Sequence, residues 1–78
     1  MITVYVKAGF CAPCSGTKRD LDKLGIEYAT VPLESVDEKQ RNTWIAEGHM
    51  SAPVVIAGTE IWSGYRPDRI KQLKEVAA

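Results

Sequence analysis

The apolar positions of the chain fall into short β-branched runs separated by longer stretches in which they recur every three or four residues. Ile2-Thr3-Val4-Tyr5-Val6 is apolar at nearly every position, the pattern of a central strand covered on both faces. After a loop, Lys7-Ala8-Gly9-Phe10, the positions Cys14, Thr17, Leu21 and Leu24 define one buried face of a helix. Lys18, Arg19, Asp20, Asp22 and Lys23 form its solvated side. Pro13 fits the first turn, where a missing N–H has no partner to lose, and Gly25 suits a left-handed cap at the far end. Ile26 to Leu33 is expected as a second strand, because Tyr28, Val31 and Leu33 stand among polar residues.

Ser35 and Glu38 make a capping-box pattern. It predicts a second helix with Ser35 as N-cap, running to about Glu47 and burying Val36, Gln40, Trp44 and Ile45. Trp44 reads as core packing rather than a ligand contact, and His49, alone in the following loop, is left out of any mechanism. Val54-Val55-Ile56-Ala57 and Glu60-Ile61-Trp62-Ser63 predict two strands joined by a type II′ turn at Gly58-Thr59. Pro67 and Asp68 open a last helix with Ile70, Leu73 and Val76 on its buried stripe. The resulting order, β-α-β-α-β-β-α, is an α/β fold with a four-stranded mixed sheet and three helices. Its opening strand-helix-strand unit requires a parallel crossover, so the first helix begins at the carboxyl edge of the first strand, where open sheets usually place their sites.

Composition narrows the function classes. The 78 residues make one domain, 1–78, and 45% hydrophobic with 26% charged residues is the balance of a soluble globular chain. Ten basic and ten acidic residues cancel, which removes the field that nucleic acid or a membrane surface would answer to. The first apolar run is too short for a secretory signal and nothing approaches a membrane-spanning length, so the expected location is cytoplasmic.

The chemistry rests on Cys11-Ala12-Pro13-Cys14, which holds the chain's two cysteines at the strand-to-helix junction. A helix N-terminus carries unpaired N–H groups and about half a positive charge, both of which favour a thiolate over a thiol. A thiol near pKa ~8.5 is a few per cent ionised at pH 7, whereas one lowered to about 7 is half ionised, roughly tenfold more nucleophile. Cys11, nearer the helix end, is the expected nucleophile and Cys14 the resolving thiol. Phe10 is placed to shield Cys11 from water, and Lys7 either adds positive charge beside it or is an ordinary solvated loop lysine. As a mere staple the pair would be poor, since so short a loop supplies roughly 2 kcal/mol in the chain-entropy model. As a metal site it is half a ligand set, and a tetrahedral centre would need a second subunit. Gly64, in the turn Trp62-Ser63-Gly64-Tyr65-Arg66-Pro67-Asp68, either admits a substrate backbone or simply serves the turn. Sequence alone gives the Ala52-Pro53 bond as trans.

The element order, with Cys-x-x-Cys opening the first helix and a proline opening the third strand, resembles the thioredoxin fold in its glutaredoxin form. Tyr5, Lys7, Cys11, Cys14, the segment Leu21 to Ile26, Ala52-Pro53-Val54-Val55 and above all Trp62 to Ile70 resemble the NrdH-redoxins nearly end to end. That resemblance implies a thiol–disulfide oxidoreductase carrying electrons from thioredoxin reductase to the catalytic subunit of class Ib ribonucleotide reductase. It would use NADPH only through the reductase, hold no cofactor or metal, and act as a monomer. It also implies a cis Ala52-Pro53 bond that sets Pro53 against the cysteines and frees the Ala52 backbone for a substrate strand. Hydrogen bonds fixing the turn beside the site are implied for Trp62, Ser63, Gly64, Arg66 and Asp68. Val6, Ala8-Gly9, Ala12-Pro13 and Tyr65 depart from common family residues without removing a reacting group. The rivals are a glutathione-dependent glutaredoxin, whose usual Gly-Gly-x-x-Asp site is replaced here by Ser63-Gly64-Tyr65-Arg66-Pro67, and a dimeric metal or iron–sulfur module.

Overall fold

Alternation along the first strand decides the layering. In a computed structural model describing residues 2–77, with side chains as far as Leu73, Ile2, Val4 and Val6 of β1 (Ile2–Val6) join the main core. Tyr5 points the other way and packs its ring on Trp44, with centroids 5.0 Å apart. The main core takes Leu21 from α1 (Ala12–Lys23) and Ile70 from α3 (Pro67–Ala77), and the opposite face takes Trp44 from α2 (Glu38–Ala46). The sheet is therefore sandwiched between α1 and α3 on one side and α2 on the other.

The remaining strands are β2 (Ala29–Pro32), β3 (Val54–Ala57) and β4 (Glu60–Ser63), in the order β2-β1-β3-β4. β1 pairs in parallel with β2, Tyr5 opposite Val31, and antiparallel with β3, Tyr5 opposite Val54. β4 returns antiparallel to β3 with Val54 opposite Ser63. Gly58 has φ +62 and Thr59 has a negative φ, the signs of the expected type II′ hairpin. Val4, Leu21, Val55, Trp62 and Ile70 form the buried cluster. Full burial of one such aliphatic side chain stabilises the fold by about 1.5–3 kcal/mol.

Three expected boundaries shift, each for a local reason. β2 starts at Ala29 rather than Ile26, because Ile26 donates its amide to the Leu21 carbonyl and the Tyr28 hydroxyl reaches Asp22 at 2.9 Å, tying both residues to the end of α1. It stops at Pro32, and Leu33–Ser35 turns into a short 3-10 segment in which the Ser35 hydroxyl donates back to the Pro32 carbonyl at 2.7 Å. With Ser35 so engaged, Asp37 rather than Ser35 caps α2, accepting the Lys39 amide at 3.2 Å. The predicted stripe of α2 also contracts: Trp44 alone is buried, Val36 is half-buried before the helix begins, and Gln40 and Ile45 face solvent. The side chain of Val76 lies outside the described residues; Leu73 packs on the core as expected.

Candidate active site

Strand register brings the site segments to one edge of the sheet. β1 leaves at Val6, β3 enters at Val54 opposite Tyr5, and β4 leaves at Ser63 opposite Val54. The loop 7–11, the segment 50–53 and the turn after Ser63 thus emerge side by side, where the sequence placed the reactive edge.

Cys11 is the N-cap of α1. Its backbone is extended, its carbonyl accepts the first helical bond from Ser15 at 3.0 Å, and its Sγ accepts the amide of Cys14 at 3.3 Å. Pro13 lies in the first turn, as expected. Cys11 and Cys14 are joined as a disulfide with Cα atoms 5.3 Å apart. Cys14 is only 3% exposed, while Cys11 remains half-buried, so the first cysteine is the accessible one. The Thr17 hydroxyl, fully buried, donates to the Pro13 carbonyl at 2.8 Å and adds a side-chain tie within the turn between the cysteines and the helix body.

The segment before β3 has the cis bond that the family resemblance implied. The Ala52-Pro53 bond is cis, Pro53 is buried, and Ala52 takes part in no backbone hydrogen bond among the described residues. Gly64 donates its amide to the Pro53 carbonyl at 2.8 Å and holds φ at +79, in the left-handed region. The Gly64 amide thus braces the proline segment across the turn. A Cβ there has open space, its nearest neighbour being Ser51 Cβ at 4.0 Å, so the cost of a side chain is one of backbone conformation. Gly64→Ala is expected to destabilise the protein by about 1–2 kcal/mol; an unchanged denaturation midpoint would show that the turn relaxes freely.

The rest of that turn divides its work. His49 Nδ1 meets the Ser63 hydroxyl at 3.3 Å, so the histidine set aside on sequence grounds anchors the segment leading to Pro53. Tyr65 donates its hydroxyl to the Asp20 carboxylate, which holds the phenol above its usual range, and lays its ring against Gly16 of α1, 3.4 Å from where a Cβ would stand. Arg66 grips Asp68 through Nε and Nη2 at 3.2 and 3.0 Å, and that hydrogen bonding keeps the Asp68 carboxyl below its ordinary range. Trp62 is the exception. Its indole N–H is buried without a partner among the described residues, so Trp62 serves the core by packing and not the turn by hydrogen bonding. Small residues beside a helix and a loop histidine carry little sequence signal; the Tyr65 departure from phenylalanine was the visible hint of a polar tie.

Of the two expected neighbours of Cys11, Phe10 departs from the reading above. Phe10 is 90% exposed and shields nothing, since the loop turns its ring out to solvent. Lys7 is exposed and belongs to none of the ion pairs among the described residues.

An accessible sulfur at the mouth of a helix, bonded to a buried partner one turn along and set on the edge of an α/β sheet, defines a dithiol–disulfide exchange protein. Known proteins agree. The glutaredoxin family pattern matches residues 2–62. The glutaredoxin-like protein NrdH of Salmonella typhimurium is 39% identical over 72 residues, covering 92% of this chain and 86% of its own, and that of Escherichia coli is 38% identical over the same shares. The solved structure of the Escherichia coli NrdH-redoxin superposes with a TM-score of 0.78 at 36% identity, covering 92% of each chain. The chain belongs to the glutaredoxin family, among its NrdH-like redoxins, and is a thiol oxidoreductase with Cys11 and Cys14 as its redox pair.

Proposed function

We propose that the protein carries electron pairs from thioredoxin reductase to the catalytic subunit of a class Ib ribonucleotide reductase. The observation that carries the reading is the asymmetry of the pair, with Cys11 at the N-cap and accessible and Cys14 buried behind it. In the reduced protein the Cys14 amide that meets Cys11 Sγ stabilises negative charge on that sulfur. The Cys11 thiolate attacks one sulfur of the substrate disulfide, that S–S bond breaks, and the departing substrate sulfur takes a proton from water. Cys14 gives its proton to water and attacks Cys11, which releases the second substrate thiol and forms the Cys11–Cys14 disulfide. Two electrons pass to the substrate, and thioredoxin reductase returns two from NADPH; in this reading the redoxin is a cytoplasmic monomer that needs no bound cofactor or metal. Pro13 supports the turn between the sulfurs. Ala52, free of backbone partners, pairs with the substrate strand, while Pro53 and Gly64 hold that segment in place.

The choice of electron source is supported by likeness: the Escherichia coli NrdH-redoxin is described as having a thioredoxin-like activity profile. The polar tripeptide glutathione meets, in place of its usual glycine pair, Ser63-Gly64-Tyr65-Arg66-Pro67. NADPH oxidation in the presence of a disulfide substrate is expected to be fast with thioredoxin reductase and at least about tenfold slower with glutathione and glutathione reductase. The reverse ratio assigns the protein to the glutathione-dependent glutaredoxins.

A further inference from the structure

We infer that Tyr65 is a positioning residue for protein substrates: its hydroxyl, bound to Asp20, ties the turn that braces Pro53 to the cysteine-bearing helix and so sets the Ala52 backbone in register with Cys11. The inference rests on the pairing of Ala52 with a substrate strand proposed above and names what holds that pairing edge in place.

Between Trp62 and Ile70, both buried, the chain runs at or near the surface, and its course there is set by polar contacts rather than by the core. The Ser63 hydroxyl meets His49 Nδ1 at 3.3 Å and the Gly64 amide donates to the Pro53 carbonyl at 2.8 Å, so the turn holds the segment 49–53 at both ends. Tyr65, the next residue, crosses to α1. Its hydroxyl donates to the Asp20 carboxylate, and its ring lies over Gly16, where a Cβ would stand 3.4 Å from the ring. Among the described residues, no other side-chain hydrogen bond joins this turn to α1. Where the turn goes the segment 49–53 follows, and Tyr65 refers both to the helix that carries the sulfurs.

A substrate that exchanges sulfur with Cys11 while its backbone pairs with Ala52 must meet two positions at once, and misplacement of either costs rate. One position is fixed by α1 and the other by the segment before β3. The bonds from Ser63 and Gly64 fasten that segment to the turn and leave its placement against α1 to Tyr65. The carboxylate acceptor makes the Tyr65 bond charge-assisted, and the same bond holds the phenol above its usual range, so the hydroxyl stays a donor at the pH of thiol exchange. Phenylalanine would keep the ring on Gly16 and lose only this tie. Without it the segment samples arrangements that cannot pair, and apparent affinity falls with the fraction that can.

The test mixes reduced full-length protein, freed of reductant, with an excess of one of two uncharged peptide disulfides. They are identical except that the second is N-methylated at the amides on either side of each cysteine and cannot donate to Ala52. Second-order rate constants are read from released peptide thiol, well below the melting point of every variant. The wild type is expected to prefer the unmethylated peptide by roughly tenfold, the size of one well-made net hydrogen bond. Tyr65→Phe and Asp20→Ala are each expected to lower that preference about threefold, as when the pairing arrangement is populated a third of the time. The double variant is expected to fall no further than either single one, because the two side chains make one bond. Asp20→Asn, whose amide carbonyl still accepts from the phenol, is expected to keep most of the preference, and Glu60→Gln, which weakens the exposed ion pair to Arg69, to keep all of it. A preference measured within one variant cancels changes in Cys11 reactivity, and a loss confined to the unmethylated peptide is not what general loosening of the fold produces. A preference that survives Tyr65→Phe, or losses that add in the double variant, overturn the positioning role and leave the pairing of Ala52 intact. Equal rates for the two peptides in the wild type overturn that pairing and the positioning with it, and failure to reduce either peptide overturns the exchange chemistry beneath both.

Discussion

Serine in place of Cys11 is expected to stop disulfide reduction, whereas serine in place of Cys14 lets the first exchange proceed and then stalls it as a mixed disulfide. The difference follows from position alone. Cys11 is the sulfur a substrate can reach, and a serine hydroxyl there is not ionised near neutrality, so loss of at least about a thousandfold in rate is expected. Cys14 is 3% exposed and bonded to Cys11 behind it, so its removal abolishes release rather than capture. Mass spectrometry of each variant after exposure to a substrate disulfide distinguishes the outcomes. An adduct on the Cys11→Ser protein, with none on Cys14→Ser, reverses the two roles.

The same geometry says where the helix end helps most. Bringing a thiol from about 8.5 to about 7 raises its ionised fraction at pH 7 some sixteenfold, but intrinsic nucleophilicity falls by about fivefold over that interval. The net gain in attack is only about threefold. Leaving-group ability improves without such an offset, so the amide of Cys14 at Cys11 Sγ contributes most when Cys11 is itself the departing sulfur, as when a second thiol of the reductase frees it from a mixed disulfide. The N-cap position thereby suits a carrier that must be oxidised and reduced in every cycle.

What was legible in the sequence is what short-range chemistry determines. The three-residue spacing of the cysteines with Pro13 between them, the β-branched runs, and the glycine-first hairpin each need only their neighbours to form, and each stands where it was read. The cis Ala52-Pro53 bond was not legible that way; it came only from resemblance, because local energetics favour trans. The N-terminus of α2 carried two competing caps. Ser35 satisfied the better pattern yet turned back to Pro32, leaving Asp37 to the helix, and nothing short of the preceding 3-10 turn decides between them. Phe10 failed as a shield for a related reason: a side chain's outward or inward direction after a flexible loop depends on packing that periodicity does not encode. The braces from Ser63 to His49, Gly64 to Pro53 and Tyr65 to Asp20 join residues between ten and about forty-five positions apart, which no local window contains.

Leu21→Ala is expected to be among the most damaging single changes away from the cysteines, lowering stability by about 2–5 kcal/mol. Leu21 is fully buried among Val4, Val55, Trp62 and Ile70, and it is the residue through which the cysteine-bearing helix grips the sheet. A domain of this length has roughly 4–12 kcal/mol in total, so the loss removes at least about a sixth of it and brings the melting temperature down by about 8–40 °C. Leu21→Met, which nearly preserves volume, should cost less than about 1.5 kcal/mol. Because the Cys11 cap, the Ser15 bond and the Thr17–Pro13 bond all lie within the first turns of α1, the redox pair is expected to exchange at a nearly wild-type rate below the lowered melting point. Thermal unfolding followed by circular dichroism, alongside single-turnover reduction at low temperature, reads the two consequences separately. A melting point within 3 °C of wild type would place the anchor of α1 elsewhere, and rapid loss of exchange in a still-folded variant would mean that the sulfurs depend on the core more directly than their local bonds indicate.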